Sequence, residues 1–155
     1  MMKTNAIRIL ESNKIPHSII EYEFKEDEID AVSVAEKINF DPERVFKTLV
    51  TRSDTNGISV FVIPGCYELN LKKAASVSGN KSVEMIKVKE IQTLTGYIRG
   101  GCSPIGMKKQ YPAFIDESAQ LFESISISAG LRGIQVIISP NDLCRLIDGK
   151  YADLL

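Results

Sequence analysis

The chain has 155 residues, 44% hydrophobic and 25% charged, which suits one domain with a real hydrophobic core and argues against disorder. A net charge of −1 excludes a broad nucleic-acid-coating surface, while leaving room for a local contact with one end of an RNA. Three widely spaced cysteines and one histidine offer neither a disulfide framework nor a paired metal-ligand set, and they fit a reducing compartment.

Lys3, Arg8, Glu11 and Lys14 break up any signal-peptide core at the N-terminus. No apolar run approaches membrane-spanning length, so a soluble cytoplasmic protein is expected. Thr4 can cap a helix over residues 5–13, with Ala6, Ile9 and Leu10 on one face. Pro16 stops its continuation, and residues 17–24 alternate as a strand with Ile20, Tyr22 and Phe24 on one side. Asp30 can cap a second helix whose stripe is Ala31, Val34, Ala35 and Ile38. Asp41-Pro42 opens a short turn. Residues 45–52 then read as a strand that is apolar on both faces and therefore covered on both. The turn Asp54-Thr55-Asn56-Gly57 leads to its hairpin partner, residues 58–64.

Asn70 can cap a helix over 71–78, with Leu71, Ala74 and Ala75 inward and Gly79 ending it. A short strand at 83–86 and a short helix near 87–95, with Val88 and Ile91 inward, follow. Residues 112–116, 124–128 and 134–139 read as strands. Ser139 and Pro140 start a last helix that buries Leu143, Leu146 and Ile147. Short strands mixed irregularly with short helices predict a single α+β domain over residues 1–155, with a mixed sheet or partly closed barrel.

Three glycines and a proline in Gly100-Gly101-Cys102-Ser103-Pro104-Ile105-Gly106 cannot build the interior of a helix or strand. They build a loop whose backbone groups can face a ligand, or a tight connection before the charge pair Lys108-Lys109. Lys47 stands among apolar strand residues, where a lysine needs a reason. It either snorkels from a sheet edge or points its cation into a pocket opposite the glycine loop. Such a pair can hold an electrophile, with the ammonium on a substrate oxygen and backbone groups on its amine or carbonyl. Cys102 invites reading as a nucleophile, yet no imidazole stands near it in sequence to make it a thiolate. His17, after Pro16, reads as structural. No cofactor motif is present, and no metal site is expected.

Four ordered blocks carry a further signal. They are Val45-Phe46-Lys47-Thr48-Leu49, then residues 69–75 (LNLKKAA), then Gly96-Tyr97 leading into the glycine loop, then Ser128-Ala129-Gly130-Leu131-Arg132-Gly133. Their order and spacing resemble the YbaK family, free-standing relatives of the editing domain of bacterial prolyl-tRNA synthetases, and the Cys-tRNA(Pro) deacylases within it. The resemblance covers nearly the whole chain. It implies a mixed, barrel-like β-sheet wrapped by helices, and hydrolysis of the ester joining a wrong amino acid to the 3′ end of tRNA.

By the same resemblance, the required lysine is Lys47 and the loop backbone is that of Gly100 and Gly101, with Ser103 and Pro104 shaping the turn. Tyr22, Ser128 and Gly130 fall at pocket positions. For the cysteinyl-specific members the resemblance implies that the substrate's own thiol attacks its ester carbonyl, where effective molarities of about 10⁵ M or more are available to a well-held pair. Relatives acting on alanyl esters use a positioned water. The partners implied are the aminoacyl-tRNA acceptor end and prolyl-tRNA synthetase. Lys72, Lys73, Lys108 and Lys109 either form a local patch for that acceptor end or are ordinary surface lysines. Two departures bear on the side-chain pocket: the acidic run ending at Asp30 replaces an aromatic residue and a glycine, and Cys102 replaces an aliphatic residue.

Overall fold

A computed structural model describes residues 3–155. Helix starts follow the local capping chemistry. Thr4 Oγ1 accepts from the Ile7 N–H at 3.1 Å and opens α1 (Asn5–Ser12). Strand β1 (His17–Glu21) follows. Asp30 caps α2 (Ala31–Ile38), which ends at Asn39 in the left-handed region, φ 58°. A 3₁₀ turn (Pro42–Arg44) leads into the hairpin of β2 (Phe46–Ser53) and β3 (Ile58–Pro64). Asn70 caps α3 (Leu71–Val77), and β4 (Val83–Met85) and α4 (Val88–Thr95) come next. After the glycine loop lie β5 (Ala113–Asp116), a 3₁₀ turn (Glu117–Leu121), β6 (Ile125–Ser128) and β7 (Ile134–Ile138). Ser139 caps α5 (Pro140–Leu146), and β8 (Lys150–Ala152) closes the chain's regular structure.

The strands form two sheets, one ordered β1-β7-β6 and antiparallel, the other ordered β4-β2-β3-β5-β8 and mixed. They meet at an isolated parallel bridge between Val45 and Ser126. This is the expected α+β architecture, with two joined sheets in place of a closed barrel. Arg44 reinforces the junction. Its Nε donates to the Ser124 carbonyl at 3.1 Å, its Nη2 to Ser124 Oγ at 2.9 Å, and its guanidinium lies 4.3 Å above the Phe40 ring centre.

The main core fills the space between the sheets. Ile7 and Leu10 from α1 meet Ile125, Ile127 and Val136 from one sheet and Val62 and Ile115 from the other. Each such fully buried aliphatic side chain contributes about 1.5–3 kcal/mol. A second cluster lies on the opposite face of the larger sheet, where Phe61 and Phe114 stack at 5.4 Å beneath Ala74 and Ala75 of α3. Phe46 and Val50 enter the first cluster and Leu49 packs against the second, so β2 is covered on both faces as its sequence predicts.

Three local expectations need correction, and one strand is additional. Strand β1 stops at Glu21, and Phe24, expected to continue it, is exposed. The Tyr22 N–H still reaches the Gly133 carbonyl at 2.9 Å, but the chain then leaves β7 for the acidic loop. Leu71 is exposed, because Leu69, just before the cap, packs against the Phe61 cluster in its place. Val88 is also exposed, because the first turn of α4 borders an open cleft instead of the core. Strand β8 was not foreseen: its three residues show no apolar alternation, and its pairing with β5 is purely tertiary.

Candidate active site

The cleft opens where β2 lacks a neighbour. Strand β4 pairs only with Thr51, Arg52 and Ser53, and the Val50 carbonyl accepts the last bond on that side, from the Ile86 N–H at 3.1 Å. At the other end Val45 bridges to Ser126. Between these two points the strand edge is uncovered. Backbone groups alternate sides along a strand, so the N–H and C=O of Thr48 point the same way as those of Val50, into the gap. The space is about 450 Å³, and Lys47, Thr48, Gly100, Cys102, Ser128 and Gln135 are among its lining residues.

The glycine loop closes one wall. Gly100 has φ +82°, which favours glycine, and a Cβ there would lie 3.0 Å from both Ile29 Cδ1 and Arg132 Nε. Gly101 is buried, and a Cβ on it would meet the backbone of Leu131 and Arg132 at 3.2 Å. The loop is pinned by three contacts. The Gly101 N–H donates to the Ile98 carbonyl at 3.0 Å, the Arg132 Nε–H to the Arg99 carbonyl at 2.9 Å, and the Tyr97 hydroxyl to the Ile105 carbonyl at 2.6 Å. Burial pushes the Tyr97 phenol up to about 12, so it remains a donor at neutral pH.

Lys47 and Gly100 thus line one cavity, as the pairing of lysine and loop anticipates, and Ser128 joins them. Among the described residues, no carboxylate lies within ion-pair distance of Lys47. Ser128 Oγ accepts from the Gly130 N–H at 3.2 Å. The remaining predicted residues lie outside the cavity lining. Gly101 and Ser103 are buried, and Ser103 Oγ accepts from the Ile105 N–H at 3.2 Å. Gly130 packs against the Tyr97 ring. Tyr22 packs with α2 and Val45. Pro104 borders a separate cleft of about 210 Å³.

Of the four lysines, Lys109 borders that second cleft and Lys72 is exposed on α3. Lys73 is bound to Asp153 at 2.8 Å and to the Leu155 carbonyl at 2.5 Å. The Lys108 stem lies over Gly96. None of the four lines the larger cleft.

Several cleft residues escaped sequence reasoning. Gln135 is buried in β7, and its Oε1 accepts from Ser126 Oγ at 2.7 Å. A glutamine inside an otherwise aliphatic strand was the available signal. Thr48, within β2, and Arg99, just before the glycine loop, also line the cleft and were not singled out by the sequence. Asp30 borders the cleft as well, but its carboxylate is turned to the Ser33 N–H and Oγ–H, which hold its pKa below the ordinary value. Burial raises the Cys102 thiol from 9.0 to about 11, outweighing the lowering effect of Thr95. It is therefore a neutral wall group at physiological pH. The His17 ring is 2.7 Å from the Ile15 carbonyl and lies outside the cleft. Among the described residues, no group of three histidine, cysteine or acidic side chains could hold a metal ion.

A cleft with Lys47 and Arg99 among its lining, an uncovered strand edge and a glycine loop, and without a nucleophile–base pair, suits a substrate that needs positioning more than activation. Comparisons with known proteins give the family. The aminoacyl-tRNA editing domain family matches residues 26–146. A protein of Enterococcus faecalis, provisionally named Cys-tRNA(Pro)/Cys-tRNA(Cys) deacylase EbsC, is 49% identical over 152 residues, spanning 98% of this chain and 93% of its own length. A proline–tRNA ligase of Shouchella clausii is 28% identical over 121 residues, which are 78% of this chain and 21% of the ligase. A crystal structure described provisionally as a trans-editing enzyme for prolyl tRNA synthetase shares the fold, with a TM-score of 0.85 at 23% identity, covering 99% of this chain and 98% of that one. The chain belongs to the aminoacyl-tRNA editing domain family.

Proposed function

We propose that this protein is a trans-editing aminoacyl-tRNA deacylase whose substrate is Cys-tRNA(Pro), with the substrate thiol as nucleophile. The observation that carries the reading is the convergence of Lys47, Gly100 and the free Thr48 edge on one cavity that holds no activated nucleophile of its own. The family and the name of the Enterococcus relative support it. That name pairs two tRNAs with one amino acid, which is what a cysteine-dependent mechanism would select.

An aminoacyl ester is already activated, so the site must mainly hold it. Lys47 holds the oxygens at the terminal ribose, where its ammonium also steadies charge developing on the ester. Gly100 and the Thr48 backbone fix the substrate amine and carbonyl, with Gly101, Ser103 and Pro104 keeping the loop in shape. Tyr22, Ser128 and Gly130 set the boundary of the side-chain pocket, directly or through the residues they support. The substrate sulfur forms a C–S bond to the carbonyl carbon as its proton leaves. The C–O ester bond breaks, and the tRNA 3′ oxygen takes up a proton. The cyclic thiolactone then adds water to give free cysteine. We place this unit, residues 1–155, in the cytoplasm beside prolyl-tRNA synthetase, and we assign Lys72, Lys73, Lys108 and Lys109 only an outer, electrostatic role toward the acceptor strand. Consistent with that placement, no helix among the described residues is long and apolar enough to cross a membrane.

The test compares Cys-tRNA(Pro) with Ala-tRNA(Pro), using wild type and Lys47→Ala. Rapid loss of the cysteinyl ester alone, absent in the variant, supports the reading. Loss of the alanyl ester as well keeps the deacylase but requires water as the nucleophile. Hydrolysis of neither above the spontaneous rate leaves a non-catalytic, synthetase-binding module.

A further inference from the structure

The two lips of the cleft differ in chemistry. One lip carries Arg99, which is exposed and lines the cavity, and Arg132, which lies against Gly100. Arg132 uses Nε to hold the Arg99 carbonyl, which brings its guanidinium to the loop that carries Arg99, and the fork of Arg132 beyond Nε is not spent on that bond. Among the described residues, neither forms an ion pair. The acidic groups nearby are engaged elsewhere: Asp30 with Ser33, and Glu28 with Lys37 at 2.9 Å. The other lip carries Met85 and Val88, which also line the cavity and are 44% and 58% exposed. Apolar side chains left in water at the mouth of the cleft suit a flat, weakly polar group.

We infer that Arg99 and Arg132 bind the phosphates of the last nucleotides of the tRNA acceptor strand, while Met85 and Val88 take the terminal base. The inference rests on the deacylase reading and deepens it. A guanidinium presents a planar fork matched to phosphate oxygens, and two of them provide a local grip that a chain of net charge −1 can supply without a basic face. Nucleobases pack well against apolar side chains. The ester would then hang from the rim into the cavity, toward Lys47 and Thr48. The four lysines nominated from sequence would lie farther out.

The decisive variant is Arg99→Gln, because the loop uses the Arg99 carbonyl and not its side chain. Binding of an uncharged acceptor minihelix ending in CCA is measured against salt, with Lys81→Gln as a charge-matched control on a distant turn. Arg99→Gln should weaken binding about tenfold and lower the salt slope by about 0.7, the value for one phosphate neutralised on a single strand. Arg132→Gln should do the same, while Lys81→Gln changes neither. An unchanged affinity and slope in Arg99→Gln would overturn the inference.

Kinetics on cysteinyl adenosine, which carries the base and ester but no phosphate, give a second arm. Arg99→Gln should lose several-fold more kcat/KM on charged tRNA than on that substrate, and Met85→Ser with Val88→Ser should raise KM for both. Equal losses on both substrates in Arg99→Gln would reduce the arginine to a structural part of the loop. Failure of the wild type to hydrolyse either ester would sink the deacylase reading alone, because the binding arm is scored without turnover.

Discussion

Lys47 and Cys102 line the same cavity and have opposite prospects. The lysine cation stands free of carboxylates among the described residues, whereas the half-buried thiol is protonated. Replacing Lys47 with Ala should lower kcat/KM about 100-fold or more, the scale of losing one preorganised charge-stabilising group. Its melting temperature should stay near wild type, since the ammonium makes no hydrogen bond or ion pair among the described residues. A variant with normal turnover would remove Lys47 from the mechanism. Cys102→Ala should keep activity, and its alkaline stability reports the thiol directly. The folded pKa of about 11 lies above the ordinary 9.0, so the folded state binds the proton more tightly. Stability is then complete below pH 9 and falls as pH rises toward 11, by about 2–3 kcal/mol at most for a two-unit shift. Urea titrations at intervals across that window should show a smaller decline in Cys102→Ala than in wild type.

Capping chemistry also ties secondary structure to the site. The Thr4 hydroxyl accepts from the Ile7 N–H and donates to the Ala129 carbonyl at 2.5 Å, so α1 is fastened to the segment that carries Ser128 and Gly130. Thr4→Ala should cost about 1–2 kcal/mol, a full cap loss, measured by chemical denaturation. The glycine loop is held more tightly than its composition suggests. A methyl at Gly101 has only 3.2 Å to the backbone of Leu131 and Arg132, and a backbone cannot swing aside as a flexible side chain can. Gly101→Ala should therefore displace the loop and reduce turnover by more than its loss of stability explains. Parallel kinetics and melting curves check this, and normal kinetics would show that the opposing turn moves freely.

The cleft exists because two sheets meet at one bridge and leave part of a strand uncovered between them. Arg44 braces that junction from just before β2, through two bonds to Ser124 ahead of β6. Arg44→Ala should loosen the approach of the sheets and raise KM, with a melting temperature lowered by several degrees, about the effect of 1–2 kcal/mol in a domain of this size. A net charge of −1 argues against an extended basic face that would read a whole tRNA. Cysteinyl esters of tRNA(Pro) and tRNA(Cys) should accordingly be hydrolysed at rates within about tenfold of each other, far below what a dedicated hydrogen-bonding site achieves. Measured kcat/KM for the two substrates tests this, and strong preference for one would require a tRNA contact outside the cleft.

The amino-acid sequence alone determined the helix caps, the hairpin of β2 and β3, the loop at Gly100 and the prominence of Lys47. Each of these depends on neighbours in the chain: a side chain bonding a nearby N–H, alternation along a strand, glycine's freedom at positive φ. The family resemblance was legible for the same reason, as ordered blocks of residues. Only the tertiary structure decided the rest. It placed Gln135, Arg99, Met85 and Val88 on one cavity, although they come from separate elements. It left Lys72, Lys73, Lys108 and Lys109 outside that cavity, though adjacency in sequence had made them look like a patch. It also freed the Thr48 edge, because whether a strand's polar backbone is paired depends on which strands arrive beside it, and that is settled by packing distant segments together.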